Sequence, residues 1–229
     1  MKLKTYNTFD DLLTESLVQE DSNLNFDKTI GIFPGAFKPP HRGHYLTAAS
    51  ACERCDTVFI LMSPTPREIG KASSGGSGPE YLKFAGLLPG GRFADALMEN
   101  LHIELAPVDR ETSASAMRAK IADYGIDQGD NITFLKNIEE FLPDMEEDKL
   151  LAVSDILMST IKDGKITSTE SEPIWRHYIE HLESKHKAVI EFDTTVGSPV
   201  KHTYDLCEAL DKEAKATGQI YNVLLYTGE

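Results

Sequence analysis

The amino-acid sequence predicts an α/β protein built around a parallel, doubly wound β-sheet. Near the N-terminus a short apolar run, a Pro/Gly-rich turn, a helical pattern and a second apolar run follow one another, which is the order of a β-α-β unit. In the final third of the chain helical patterns and apolar runs alternate again. The chain has 229 residues, 41% of them hydrophobic, which is enough for a substantial core.

The spacing of apolar residues predicts each early element. Residues 9–17 carry apolar side chains at helical spacing and predict a short amphipathic helix. Residues 29–33 and 56–62 predict buried strands, and residues 42–54 between them predict a helix. The Pro/Gly-rich turn at 34–40 ends the first strand.

The later elements follow from the same patterns, and Gly164 is expected to end the longest of the helices. We expect strands at residues 102–105, 188–192 and 221–226, and helices at residues 113–124, 146–161, 173–182 and 199–214.

A Ser/Gly-rich segment interrupts the alternation of strands and helices. Residues 73–78 read SSGGSG, a composition that is typical of flexible tethers and of artificial linkers. We therefore expect a flexible linker over residues 72–78, either introduced or present as a natural loop.

Charge and composition exclude several classes of protein. The formal charge of −14 disfavours binding to nucleic acid, whose affinity depends on Lys and Arg, but it is compatible with a small anion in a focused pocket. The longest apolar runs are too short to span a membrane, and residues 1–10 lack the apolar region of a signal peptide. Three cysteines provide no disulfide framework. We expect a cytoplasmic protein with no nucleic-acid or membrane partner.

Residues 35–44 (GAFKPPHRGH) lie between the first predicted strand and the first predicted helix. Phosphate groups bind at this position in parallel α/β sheets, because backbone N–H groups and the positive helix end point into the crevice. His41 and His44 share the first turn of the helix, and Gly43 leaves room for a ligand. Lys38 adds positive charge. The segment therefore predicts a binding site for a small anion.

Residues 112–118 (TSASAMR) predict a second phosphate contact. The hydroxyls of Ser113 and Ser115 suit the start of a helix whose N–H groups face phosphate oxygens, and Arg118 could add a bidentate charged contact. Together the two segments could contact opposite ends of one triphosphate.

Residues 35–44 resemble the signature of the HxGH nucleotidyltransferase superfamily, which includes the NMN and phosphopantetheine adenylyltransferases and the glycerol-phosphate and choline-phosphate cytidylyltransferases. Residues 112–118 resemble a second motif of this superfamily, ISSTxIR, from which they depart at Thr112, Ala114 and Ser115. The resemblance implies a single Rossmann-like nucleotidyltransferase domain over residues 1–229, with additional helices of the kind that relatives carry at their C-terminus.

The resemblance also implies a role for individual residues, and it assigns no residue as a metal ligand. The catalytic set comprises Lys38, His41, His44 and Arg118, and the nucleotide-binding set comprises Phe33, Pro34, Gly35, Ala36, Phe37, Gly43, Ser113 and Ser115. Arg67 and Trp175 are candidates for acceptor binding. A surface arginine and a core tryptophan are the alternative interpretations of these last two residues.

The implied reaction transfers a nucleoside monophosphate from an NTP to a small phosphate-monoester acceptor such as NMN and releases pyrophosphate. The acceptor is already anionic, so the reaction needs alignment and charge stabilisation rather than a general base. Mg²⁺ would bridge the triphosphate oxygens with few protein ligands. The Phe-x-Pro-x-His spelling favours ATP over CTP, whereas Lys38 stands where many relatives carry Asp or Gln.

Two alternatives to an adenylyltransferase stay open. One is a cytidylyltransferase that acts on a small alcohol phosphate. The other is a protein of the same fold that binds nucleotide without catalysis, including a rearranged scaffold that has lost its activity. The sequence also leaves open whether the chain forms homo-oligomers.

The order of the segments differs from that of the superfamily, in which the serine-arginine motif follows the last parallel strand. Reading residues 1–71, then 166–229, then 79–165 restores the expected order. We therefore predict that the connectivity is permuted through the linker at 72–78. The alternative is a natural insertion of residues 70–165.

Three other patterns have simpler explanations. Residues 177–181 match the H-x-x-E-H spelling of a zinc site, but a solvated helix face explains them better. The CxxC at 52–55 has no second pair and predicts buried, reduced thiols. The acidic stretch at 144–148 suits a helix N-terminus.

Overall fold

The computed structural model describes residues 25–70, 83–94, 99–106, 108, 113–125, 130–195 and 197–227. The helix predicted at 9–17 and the linker predicted at 72–78 lie outside these residues. No helix in the described part of the chain is both long and apolar enough to cross a membrane.

Five parallel strands form the central sheet, and two further short strands pair antiparallel beside it. In chain order the strands are β1 (Lys28–Gly35), β2 (Thr57–Met62), β3 (Arg67–Glu68), β4 (Leu101–Ala106), β5 (Lys165–Ile166), β6 (Val189–Thr194) and β7 (Tyr221–Tyr226). The order across the central sheet is β4-β7-β1-β2-β6. The predicted parallel α/β sheet is therefore confirmed.

Six α-helices accompany the strands in the described residues. They are α1 (Arg42–Arg54), α2 (Ala114–Tyr124), α3 (Asn131–Ile138), α4 (Glu147–Asp163), α5 (Ser168–Lys185) and α6 (Pro199–Thr217). A short 3-10 helix, Glu139–Phe141, follows α3.

The helices cover both faces of the sheet, because successive side chains of each strand point to opposite faces. Ile30 and Ile32 of β1 belong to a buried cluster with Cys207 and Leu210 of α6. Phe33 points the other way, into a larger cluster with the buried side chains of α1, α2, α3, α4 and α5. This is the doubly wound, Rossmann-like arrangement that the sequence predicts.

The two-stranded sheet brings distant parts of the chain together. Arg67 of β3 pairs with Ile166 of β5, and the Ile69 N–H donates a 2.9 Å hydrogen bond to the Gly164 carbonyl. Gly164 has a positive φ of 65° and ends α4, as predicted. The start of α5 consequently lies beside the segment that follows β2.

Most predicted boundaries shift by one or two residues, but several differences are larger. Helices α5 and α6 each end three residues later than predicted, at Lys185 and Thr217. Helix α5 begins at Ser168 rather than at residue 173, because Thr167 and Glu170 form a reciprocal capping box at its start. Helix α3 and the paired strands β3 and β5 were not predicted. Each of these elements is short, and Asp130 caps α3 through a 2.8 Å bond from the Thr133 N–H.

Candidate functional site

The loop after β1 leads directly into α1, and His41 is the residue that caps this helix. The Gly43 N–H donates to His41 Nδ1 at 3.1 Å, and the His41 N–H donates to His44 Nδ1 at 3.3 Å. The two histidines thus form a reciprocal capping box. Each side chain accepts a hydrogen bond from a backbone N–H that has no intrahelical partner in the first turn. The HxGH spacing therefore has a structural role in addition to its predicted role in binding.

The capping bonds select one tautomer of each neutral imidazole. Nδ1 accepts a hydrogen bond in both His41 and His44, so each neutral ring carries its proton on Nε2. The ring centroids lie 3.7 Å apart. Two N–H donors of similar character are thereby placed side by side at the N-terminus of α1, where the helix dipole also favours an anion.

Lys38 lies in the same loop, and its side chain turns inward. It is only 1% exposed, and its Nζ donates to the carbonyl oxygens of Ser63 and, at 3.2 Å, of Ala36. Burial lowers the pKa of Lys38 to about 8; the charge of Arg67 also lowers it, and Glu170 acts in the opposite direction. Lys38 therefore joins the ends of β1 and β2.

Arg118 reaches the loop from α2. Its Nη1 donates to the Lys38 carbonyl at 2.6 Å and its Nη2 donates to Ser115 Oγ at 3.0 Å. The side chain is 3% exposed, and its Nε has no hydrogen-bond partner among the described residues. Burial and the charge of Arg67 both lower the pKa of Arg118. The two sequence motifs therefore meet at one place.

Ser113 caps α2, and its Oγ accepts a 3.2 Å bond from the Ser115 N–H. Ser113 is exposed and Ser115 is half-buried, so the N-terminus of α2 faces outward beside the loop. The predicted hydroxyl cap of this helix is therefore present.

Three cations converge at this edge of the sheet. The charge of Arg67 acts on both Lys38 and Arg118, which places these groups close enough to repel one another. Such a convergence is notable in a chain whose formal charge is −14. Together with the N-terminus of α1, these side chains give the site a local positive field that suits a small polyanion.

Three aromatic rings, those of Phe33, Phe37 and Trp175, pack together at the loop that follows β1. Phe37 has a positive φ of 50°, which is rare for a bulky residue, and its ring lies 5.2 Å from that of Trp175. Gly35 is required beneath this ring, since a Cβ there would lie 2.5 Å from the ring atoms of Phe37. Phe33 completes the group at 4.9 Å from Phe37.

Trp175 is fully buried, and its Nε1 has no hydrogen-bond partner in the described part of the chain. It packs edge-on against Phe37 and Phe33 as a core side chain. In this arrangement it supports the loop and presents no open ring face to an acceptor.

The remaining predicted residues divide between the inner and outer sides of the loop. Pro34 and Gly43 are buried, and the Gly43 carbonyl accepts a 2.9 Å bond from Thr47 Oγ1. Gly35, Ala36, Arg67 and His44 are half-exposed, whereas His41 is buried at 4% exposure. A ligand could reach the half-exposed positions without rearrangement, but a direct contact with His41 requires a local shift of the loop.

Two contributors to the site were not identified from the sequence. The Ser63 carbonyl, at the end of β2, holds Lys38, and a backbone carbonyl leaves no signal in a sequence. Glu170 acts on the charge of Lys38 from the first turn of α5. Its signal was available, because Thr167-x-x-Glu170 is the spelling of a capping box.

The alternative metal and redox patterns gain no support. His181 is buried with its Nδ1 3.2 Å from Glu146 Oε2, so the predicted solvated helix face is wrong for this side chain. The described residues contain no group of three His, Cys, Asp or Glu that could hold a metal ion. Cys52 and Cys55 are buried, and burial raises their pKa values to about 12 and about 11. Such thiols are poor nucleophiles near neutral pH.

No protein-family model, curated protein or solved structure matches this chain.

Proposed function

We propose that the protein is a nucleotidyltransferase that moves a nucleoside monophosphate, preferentially AMP, from an NTP to a small phosphate-monoester acceptor such as NMN. One observation carries the proposal. The two Nδ1-capped histidines, His41 and His44, stand beside Lys38, Arg67 and Arg118 where β1 meets the N-terminus of α1.

The position of this cluster in the sheet also favours a nucleotide. The loop follows β1, and β1 lies between β2 and β7 in the sheet. Helix α1 joins β1 to β2 on one face of the sheet, and α6 joins β6 to β7, on the other side of β1, across the opposite face. Ligands of open α/β sheets bind outside the carboxyl ends of strands at such a switch point.

The chemistry follows from charge and alignment. The Nε2–H groups of His41 and His44 would donate to phosphate oxygens, and their interaction would strengthen as charge develops on the transferring group. Lys38, Arg67 and Arg118 would neutralise the triphosphate and the leaving pyrophosphate. The acceptor phosphate is already a nucleophile, so no side chain has to remove a proton.

The site would take Mg²⁺ together with the nucleotide, because the side chains around the loop offer few oxygen ligands of their own. Cations and N–H donors predominate around the loop, and Glu170 is the carboxylate whose charge acts on Lys38. An ion that arrived with the nucleotide would be coordinated mainly by phosphate oxygens and water, and it would neutralise phosphate charge.

The strand order supports the proposal that the connectivity is permuted. If the segments are read as 1–71, 166–229 and 79–165, the strands occur in the order β1, β2, β6, β7, β4. Renumbered in that order, the sheet is 5-4-1-2-3, which is the 3-2-1-4-5 order of the Rossmann arrangement seen from the other edge. The pairing of Arg67 with Ile166 places the ends of the first two segments side by side.

A pyrophosphate-release assay tests the activity. ATP and CTP with Mg²⁺ would each be combined with NMN, nicotinic acid mononucleotide, phosphopantetheine, glycerol-3-phosphate and choline phosphate. We expect release that requires both ATP and an acceptor, and that is lost in His41→Asn but kept in His177→Asn, a control on α5. Release with CTP and an alcohol phosphate would instead identify a cytidylyltransferase.

A second candidate function is nucleotide binding without catalysis. It is favoured by the bonds that already engage Lys38 with two carbonyls and Arg118 with the Lys38 carbonyl and Ser115. If no substrate pair gives pyrophosphate release but ATP still raises the melting temperature, binding without catalysis is the function. If there is no release and no nucleotide raises the melting temperature, both candidate functions are wrong.

A further inference from the structure

Thr195 follows β6 directly, and it is buried although the strand before it is not. β6 lies at the edge of the central sheet, and exposed and half-exposed residues alternate along its whole length. Thr195, by contrast, is only 1% exposed. A buried hydroxyl needs a hydrogen-bond partner in the protein, because it no longer contacts water. The hydrogen bonds of Thr195 connect it to the candidate site.

Thr195 binds the end of β2 through two donors. Its backbone N–H donates to the Met62 carbonyl at 2.9 Å, and its Oγ1 donates to the same oxygen at 3.1 Å. On the other side of that peptide unit, the Ser63 N–H donates to the Gly35 carbonyl at 2.9 Å. A peptide unit is planar, so bonds to its C=O and to its N–H together fix its orientation. Thr195 and the end of β1 therefore hold the Met62–Ser63 peptide between them.

The next carbonyl along the chain holds Lys38. The Ser63 carbonyl accepts a hydrogen bond from Lys38 Nζ, and the Lys38 carbonyl accepts the 2.6 Å bond from Arg118. A series of contacts thus runs from Thr195 to Arg118 and joins the ends of β6, β2 and β1 to α2. A displaced Ser63 carbonyl would leave the buried ammonium of Lys38 with fewer acceptors, which is costly for a charge.

We infer that Thr195 is a positioning residue of the candidate site, and that its hydroxyl keeps the Ser63 carbonyl directed at Lys38. Thr195 acts through the peptide unit at 62–63, so its effect on the loop at 35–44 is indirect. The effect on nucleotide binding rests on the proposed function, whereas the effect on Lys38 does not depend on it. Serine can replace Thr195 in this role because it keeps the hydroxyl, but valine cannot.

Thermal denaturation of the unmodified chain, Thr195→Val, Lys38→Met and the double variant tests the link to Lys38. Valine has nearly the shape of threonine but lacks the hydroxyl. We expect Thr195→Val to lower the melting temperature of the unmodified chain, and to lower that of Lys38→Met by about half as much or less, because residues in one hydrogen-bond network are not additive. Thr195→Ser should melt closer to the unmodified chain than Thr195→Val does. Equal losses from Thr195→Val in both backgrounds would overturn the inference.

Titration calorimetry with ATP and Mg²⁺, at a temperature where every variant is folded, tests the link to the site. We expect Thr195→Val to raise the dissociation constant of ATP roughly threefold or more, and Thr195→Ser to restore it. The matched control is Thr203→Val, because Thr203 is also buried and its Oγ1 donates to a carbonyl, that of Pro199, at 2.9 Å. Thr203 lies within α6, and its replacement should leave the affinity for ATP unchanged.

The outcomes separate this role from the proposed function. An unmodified chain that binds ATP, with Thr195→Val binding it equally well or with Thr203→Val weakened to the same extent, would overturn the inference. If the unmodified chain does not bind ATP, the proposed function is wrong, and the melting temperatures alone decide whether Thr195 positions Lys38.

Discussion

The guanidinium of Arg118 donates a 2.6 Å hydrogen bond to the backbone carbonyl of Lys38, 80 residues earlier in the chain. A second bond from the same group reaches Ser115 at 3.0 Å. Arg118 therefore links the start of α2 to the loop that carries the two histidines. The geometry of the candidate site depends on this link as well as on the loop's own sequence.

Replacing Arg118 with lysine should uncouple the two motifs. Lysine keeps the charge, but it cannot present the two donors of a planar fork to Lys38 and Ser115 at once. We expect a loss of roughly 1.5 to 3 kcal/mol in the free energy of unfolding, the usual value of hydrogen bonds to charged groups. Chemical denaturation would measure it.

The control for this variant is Lys120→Ala on the same helix. Lys120 is exposed and lies 3.8 Å from Glu140, so its removal should change stability by well under about 1 kcal/mol. Equal stability of the Arg118 and Lys120 variants would show that the link does not contribute to folding.

Substitution of His41 should separate its capping role from its proposed role in phosphate binding. His41→Ala removes the Nδ1 acceptor and should cost about 0.5 to 2 kcal/mol of stability, the usual effect of losing an N-cap. Asparagine is among the best N-caps, so His41→Asn should recover most of that loss. It should not recover nucleotide binding, because it lacks the Nε2–H donor.

Melting temperatures of both His41 variants, with and without ATP, would test this separation. A His41→Asn protein that ATP stabilises as strongly as the unmodified chain would exclude His41 from phosphate binding. An Asn variant no more stable than the Ala variant would argue against the capping role.

Local patterns predicted the elements that are long or sharply bounded. Helix α1 occupies the residues expected, since the turn before it and the strand after it are both unambiguous in sequence. Helix α3 was not predicted because its eight residues are too few to show a clear helical period. The strand order could not be deduced from periodicity, because it depends on which strand edges meet in the folded chain. The inward orientation of the Lys38 side chain could not be predicted from the sequence either, because its hydrogen-bond partners are backbone carbonyls.

The buried ammonium of Lys38 should make stability depend on pH in the alkaline range. Its pKa falls from an ordinary 10.5 to about 8 in the folded protein. Between these values the unfolded chain holds the proton and the folded chain has lost it, so the free energy of unfolding rises with pH. The penalty for burying the charge is therefore complete below about pH 8 and disappears above the unfolded pKa. The shift corresponds to about 3 kcal/mol.

Comparison with Lys38→Met isolates this effect, because other titrating groups are common to both proteins. Denaturation at intervals between about pH 7 and about pH 10.5 should show the unmodified chain gaining stability relative to the variant. A constant difference over this range would mean that Lys38 titrates normally.

Gly35 and Phe37 should be energetically coupled. Gly35→Ala places a Cβ 2.5 Å from the Phe37 ring, which is held by Phe33 and Trp175 and cannot move freely. We expect a loss of about 1 to 3 kcal/mol, the usual cost of overpacking. Phe37→Leu in the same chain should recover part of it. A double-mutant cycle measures the coupling, and additive effects would contradict the contact.

A chain assembled in the order 1–71, 166–229, 79–165, without residues 72–78, should fold to the same sheet. Its first new junction joins Lys71 to Ile166, which is feasible because Ile69 already contacts Gly164 and Arg67 pairs with Ile166. The strands would then follow the Rossmann order without the long excursion through β4. We expect at least equal stability and the same nucleotide-induced rise in melting temperature.

Limited proteolysis is an independent test of the hypothesis that the connectivity is permuted. If residues 72–78 are a tether, the first cleavage of the present chain should fall within them, whereas the reordered chain should lack that early cut. A reordered chain that fails to fold, together with resistance of 72–78 to cleavage, would favour a natural insertion of residues 70–165. Retained folding with an early cut at 72–78 would instead indicate that the loop at 35–44 and α2 meet correctly in either connectivity, because the contacts of Arg118 with Lys38 and Ser115 depend on the packed sheet and not on the path of the chain.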